Sequence, residues 1–342
     1  MAELGLQNPS LVDVLSRTDP KGKVSTIIEI AEESNPILQD AIFTQCNDGT
    51  THQHVIRNGY PEPVERQFNE FVASSKSETS IIRDVPVQFE AFPWVDKALA
   101  DVRGNADAWR ASEQVAHSMG FATAISRNVV YGSQNAGSTF VGHNARYSDP
   151  AAPSGRNLIN GGGVGSDNAS IIAITWGPRG SQLIYPEGSA AGYRHDAIGE
   201  TVRQKDDGSS MKVYMDHNKW DTALTQGDWR SGGRICNIDV SALMKDAATG
   251  ADLLDLMIDL EENLDTSAAV GIDMTTGELV RGKTVFYSTR TVAKFMRKQA
   301  LSKAAGNLSV EMVAGRRTTM WGDHEFKRLD CMSDAEAAVL GF

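Results

Sequence analysis

The chain has 342 residues, 41% of them hydrophobic and 23% charged, with a formal net charge of −11. This is the composition of an ordinary globular protein with room for more than one core. No apolar run approaches the roughly 20 residues that a helix needs to cross a bilayer. The acidic balance, with no dense Lys/Arg run, argues against a protein whose main work is gripping nucleic-acid phosphates.

The N-terminus, MAELGLQNPS, has neither a basic flank nor a long apolar stretch, so no secretory signal is expected. Three widely spaced cysteines, Cys46, Cys236 and Cys331, fit a reducing cytoplasm and form no CxxC pair. The first 45 residues read as short helical pieces broken by proline. Ser10 can cap LVDVLSR, Pro20 stops it, and Val24, Ile27, Ile28 and Ala31 recur at helical spacing before Pro36. These pieces carry little core of their own and predict an arm that packs on something else.

Residues 46–90 change character. CNDGTTHQHVIRNGYPEPVERQF is polar, with turn signals at Asp48-Gly49 and Asn58-Gly59, and Pro61 and Pro63 rule out a central strand. SETSIIRDVPVQFEAF reads as extended. Two strands flanking a long, polar, poorly buried excursion are expected, with few large apolar residues. Within it, Arg57, Arg66, Lys76 and Arg83 stand against acidic groups that include Glu65 and Glu70. Such a segment buries too little to offset its own ordering, so these six residues are candidates for contacts with a neighbouring subunit. Arg57 and Arg66 are the strongest, since a guanidinium can hold a carboxylate in two places.

A helix is predicted over 106–131, capped by Asn105 and ended by Gly132, about 39 Å long at 1.5 Å per residue. Val115, Met119, Ala122, Ile125 and Val129 form its expected core-facing stripe, and Gly120 within it would cost roughly 1 kcal/mol relative to Ala in an exposed helix, a cost that close packing by a neighbour could offset. Strand candidates follow in SIIAITWG, QLIYPEG, SMKVYMDH and WRSGGRICNIDV. Leu253, Met257, Leu260 and Leu264 then mark a helix whose opposite face carries Asp252, Asp255, Asp259 and Glu262. TVFYS, the basic helix RTVAKFMRKQAL, and strands in RRTTMW and HEFKRLD complete the chain.

Chemistry is sparse. NGGGVGSDN at 160–168 lacks the Lys-Ser/Thr of a phosphate loop and precedes a strand, so it is read as a flexible loop. His52 and His54 would share one strand face, but no third ligand beyond Asp48 is near, and a polar strand face is the preferred reading. The acids of 252–265 read as a solvated helix face, and GxSxG is absent. No catalytic residue, cofactor or metal site is assigned, and no enzyme activity is expected.

An ordered series of blocks resembles one family. NPSLVDVLSRTDPKGKVSTIIEIAEESNPILQD resembles the N-terminal arm of major capsid proteins of short-tailed double-stranded DNA phages. THQHVIRNGYPEPVERQFNEFVASSKSETSII, VDKALADVRGN, TFVGHNARY, ITWGPRGSQLIYPEGSAAG and HNKWDTALTQGDWRSGGRICNID continue the likeness from about residue 8 to about residue 330. The resemblance implies an α+β Hong Kong 97-type phage capsid fold. Its expected parts are an N-terminal arm (1–45), an extended loop or E-loop (46–90) and a peripheral domain (91–149) with a spine helix (106–131). An axial domain in two parts (150–224 and 241–342) would be interrupted by a peripheral-domain strand (225–240), a rearranged chain order within the same architecture.

The function implied is that of a shell subunit forming hexamers and pentamers of an icosahedral virion capsid, assembled in the host cytoplasm. Expected partners are further copies of itself, a separate scaffolding protein, a portal and a cement protein. Double-stranded DNA would be enclosed without sequence-specific binding, and no membrane is involved. Lys76 is read as a surface lysine in preference to an intersubunit cross-link. The alternative is a cellular nanocompartment shell that packages a protein cargo.

Overall fold

The computed structural model describes residues 36–101, 106–133, 140–204, 208–245, 250–265, 271–272, 279–280, 282–303, 308–313 and 316–342. The expected arm helices before Pro36 lie outside the described residues. The chain forms two compact units.

Described residues of the first unit are drawn from Gln88–Ile125 and Ser189–Thr222. Its sheet is a long antiparallel ribbon in which Arg194–Gln204 pairs with the first part of Ser210–Gln226, from Ser210↔Gln204 to Lys219↔Arg194. The register shifts between Met215 and Asp216, beside Gly199, whose φ of +85° suits the residue without a Cβ. Trp94–Asp96 pairs with Val213–Met215. Helix α1 spans Ala106–Tyr131, and its residues up to Ile125 belong to this unit. Arg110 grips Asp216 with two nitrogens, Nη2 to Oδ1 at 2.5 Å and Nε to Oδ2 at 3.3 Å, fixing helix to ribbon.

The apolar stripe expected on α1 is buried only toward its end. Ile125 and Val129 are inaccessible, whereas Val115 and Met119 are exposed. Gly120 also has no close neighbour, and a Cβ there would meet nothing within 4 Å. Periodicity marks which residues share a face; among the described residues, Ala122 is half-buried and Val115 and Met119 are left exposed.

The second unit comprises Ser34–Val87, Ser126–Gly188 and Ala223–Phe342. At its centre lies Asn168–Trp176, buried at every residue. NASIIAITW is a continuous apolar and β-branched run, the pattern of a strand covered on both faces. Gly232–Asp239 pairs with it antiparallel along one edge and Lys283–Ser288 antiparallel along the other. Outward from Lys283–Ser288 follow His324–Arg328 in parallel, then Arg316–Trp321 and Leu308–Val313 antiparallel. Ser181–Tyr185 carries Phe43–Gln45 in parallel and Ala223–Gln226 antiparallel.

Helices α2 (Val240–Lys245), α3 (Leu253–Asn263) and α4 (Arg290–Lys303) pack on the sheet. Leu253, Met257, Leu260, Val292 and Met296 meet Ile171, Ala173, Ile235, Ile238 and Phe286 in one core. Gln299 fastens α4 to the start of α3, its Oε1 accepting from Leu253 N at 2.9 Å and its Nε2 donating to Ala251 O at 2.8 Å.

Two expected boundaries need correction. Residues 225–240 do not form an outlying strand between two parts of another domain. Gly232–Asp239 is inside the central sheet and buried along nearly its whole length, with the Arg234 charge neutralised by Glu336 at 2.8 Å. Nor is 150–224 one segment. The division falls at Gly188/Ser189, because Arg194–Gln204 finds its partner in the ribbon of the first unit.

The Gly-rich loop is stitched down, not open. Gly161 N and Gly163 N donate to Cys236 O and Asn237 O at 2.8 and 2.7 Å. Asn237, at φ +57°, donates from Nδ2 to Asn160 Oδ1 at 3.0 Å. Amides already committed to the sheet cannot cradle a phosphate.

Candidate functional site

The hairpin within residues 46–90 pairs His52–Gly59 with Glu78–Asp84, from His52↔Asp84 to Gly59↔Glu78. A two-stranded hairpin is marginal by itself, and its two ends are stabilised very differently.

At the base lies a polar cluster. Thr225 Oγ1 donates to Asp84 Oδ2 at 2.7 Å. That commits the only hydroxyl proton, so His54, 2.7 Å from the same oxygen, donates from Nε2. Arg146 Nη2 donates to Asp84 Oδ1 at 2.8 Å and to Leu224 O at 3.0 Å. The His52 and His54 rings meet edge to face, 4.5 Å between centroids. Both imidazoles are held neutral. Burial pushes His54 down to about 4, helped by the neighbouring His52 and Arg146 and opposed by Asp84. Burial lowers His52 as well. The two histidines share a face, but no group of three or more His, Cys, Asp or Glu among the described residues could hold a metal ion. His54 serves as a hydrogen-bonding ring and His52 as a packed one.

At the far end, residues 60–77 form no strand. Phe68 and Phe71 are 97% and 103% exposed, and Tyr60 76%. The expectation of few large apolar residues is therefore corrected: the aromatics are there, spaced three apart and uncovered. Their presentation is built by two of the charged candidates. Glu70 Oε2 accepts from Gln67 N at 3.0 Å, Arg66 Nη1 donates to Glu70 O at 3.2 Å, and Asn69 adopts a φ of +69° between them. Arg66 and Glu70 thus meet through the turn, without the two-point pairing expected of Arg66. Arg57, Glu65, Lys76 and Arg83 are exposed, and among the described residues they form no ion pair with one another.

Sequence reasoning missed Asp84, Arg146 and Thr225 as the base of the hairpin. The pairing of His52 with Asp84 was open to a register argument, since both strands and their turn signals are visible. Arg146 and Thr225 carry no local signal, because they join the cluster only through the fold.

A family model described as "Major capsid protein GP7" matches residues 19–340. Among solved structures, the near-atomic structure of bacteriophage Epsilon15 shares 33% identity with a TM-score of 0.77, covering 100% of both chains. The capsid of bacteriophage JBD30 gives a TM-score of 0.43 at 10% identity, over 88% of this chain and 90% of that one. The SrpI encapsulin of Synechococcus elongatus gives 0.40 at 8%, over 68% and 97%; these last two are too distant to carry weight. No curated protein sequence matches. A family match over nearly the whole chain, with full-length likeness to a bacteriophage protein, settles the class. The chain belongs to the major capsid protein GP7 family: it is a structural protein of a tailed-phage virion with the Hong Kong 97-type capsid fold.

Proposed function

We propose that this subunit closes an icosahedral shell of hexamers and pentamers around double-stranded DNA, and that the 46–90 hairpin is its E-loop, reaching onto a neighbouring copy. The observation that carries the reading is the contrast between a hairpin base locked by Asp84 and a tip whose Phe68 and Phe71 are bare. Exposed aromatics on an extended arm are costly in a lone subunit and suit an interface anchor. Arg57, Arg66, Lys76, Arg83, Glu65 and Glu70 would surround that anchor as a polar rim, each exposed pair contributing about 0–1 kcal/mol. Many such modest contacts become strong together once closure makes the later ones intramolecular.

In this reading α1 is the spine helix of a peripheral domain formed with the 189–222 ribbon. The sheet under α2 to α4 is the axial domain, and residues 1–45 are the arm. Assembly takes place in the host cytoplasm on a separate scaffolding protein, with a portal at one vertex and a cement protein outside. A net charge of −11 keeps the shell wall from binding the packaged DNA, and no catalytic step is required of the chain.

Sedimentation and electron microscopy of the expressed protein, alone and with scaffold, test the reading. Shells or capsomers are expected. A compact monomer under every condition would overturn it.

A further inference from the structure

Helices α3 and α4 lie side by side on the second unit, and their outward faces carry charges of opposite sign. On α3 the exposed residues are Asp255, Ile258, Asp259 and Glu262, at i, i+3, i+4 and i+7. On α4 Lys294, Arg297, Lys298 and Leu301 are exposed at the same spacing, with Ser302 beside them and Arg290 one turn earlier, where it pairs with Asp330. Each stripe has three charges of one sign and one uncovered aliphatic residue, Ile258 at 41% exposure and Leu301 at 85%. Residues 252–265 contain no basic side chain and 290–303 no acidic one. Among the described residues, Asp255, Asp259, Glu262, Lys294 and Lys298 enter no ion pair within the chain.

The basic stripe is already held in place. Lys294 and Lys298 set their ammonium groups 5.6 and 4.9 Å from the Phe295 ring centre, and Arg297 donates to Thr319 Oγ1. Less side-chain freedom then remains to be lost on docking. Two helices of like sign would repel, and two complementary stripes attract over about two turns.

We infer that the acidic stripe of α3 docks against the basic stripe of α4 on a second copy of this chain, with Ile258 meeting Leu301 at the C-terminal end of the basic stripe. Each contact joins α3 of one copy to α4 of another. It rests on the shell reading for its setting but is separate from the hairpin.

Three charge variants test it, each checked for native circular dichroism. The acid reversal is Asp255→Lys, Asp259→Lys and Glu262→Lys. The base reversal is Lys294→Glu, Arg297→Glu and Lys298→Glu. The third carries all six changes. Either reversal alone should lower the assembled fraction by about tenfold or more, and the six-residue swap should restore it, because the stripes are again complementary. Assembly by either reversal at the wild-type level would overturn the inference, as would failure of the folded swap.

A second readout needs no closed shell. In a Cys331→Ser background, Ile258→Cys and Leu301→Cys chains are mixed and oxidised. A disulfide-linked dimer should form that neither chain gives alone. The dimer without shells would count against the shell reading and leave this contact standing. Shells without the dimer would overturn the contact, and the absence of both would overturn both.

Discussion

Arg234 and Glu336 form an ion pair at 2.8 Å with both side chains only 7% exposed, joining the central sheet to the last turn of the chain. Glu336 spends its remaining capacity on Tyr131 Oη at 2.6 Å and Ser170 Oγ at 2.5 Å, while its backbone bridges Asn168. Each carboxylate oxygen that burial strips of water is given a donor, Tyr131 on Oε1 and Ser170 and Arg234 on Oε2. Removing one partner strands the other charge, so Glu336→Ala should lower unfolding free energy by about 3–5 kcal/mol. Urea titration followed by tryptophan fluorescence reads this out, and a loss below about 1 kcal/mol would mean water reaches Arg234.

The neutral histidines at the hairpin base make stability fall with acid. An imidazole whose folded pKa is depressed contributes stability that is fully present above its unfolded value near 6.5. For His54 that contribution is lost as pH drops toward about 4. A shift of that size is worth at most about 3 kcal/mol, and solvent screening at this partly exposed ring makes the contribution smaller. His54→Gln, which can still donate to Thr225, should flatten the stability profile between pH 6.5 and about 4. An unchanged profile would place the acid sensitivity elsewhere.

Phe68 and Phe71 touch almost nothing in the subunit. Replacing both with serine should leave unfolding within about 0.5 kcal/mol of wild type and yet suppress shell formation. Sedimentation velocity beside thermal unfolding separates the two effects. Normal shells from the double variant would remove the tip from the interface.

Gly163 and Gly120 should respond in opposite directions. A Cβ on Gly163 would sit 2.2 Å from Asn168 Oδ1 and 2.8 Å from Asn237 O, so Gly163→Ala should cost about 1–3 kcal/mol. A Cβ on Gly120 meets open space, and Gly120→Ala should raise helix stability by up to about 1 kcal/mol. Thermal melts of the two variants decide the matter.

Local signals in the chain identified what depends on local chemistry. The strand Asn168–Trp176 announced itself as an unbroken β-branched run, and α3 as a leucine stripe opposite acids. The 106–131 helix was equally legible, but the fate of Val115 and Met119 was not, because periodicity cannot say where a covering layer stops. The place of Gly232–Asp239 depended on pairing with residues some sixty positions earlier, which no local pattern encodes. The hairpin's charges were read and its aromatics underrated, since Phe68 and Phe71 stand in a stretch whose prolines and acids dominate the pattern.

The hairpin's asymmetry has a mechanical side. Anchored at Asp84 by Arg146 and Thr225, with an unsupported span beyond Gly59, it is a cantilever. A load applied at Phe68 is felt as torque at the root, where two short hydrogen bonds and an ion pair resist it. Stiffness is therefore set at Asp84 while grip is set at the aromatic tip. The two can be altered independently: weakening the root would give a compliant arm that still holds, and trimming the tip a rigid arm that slips.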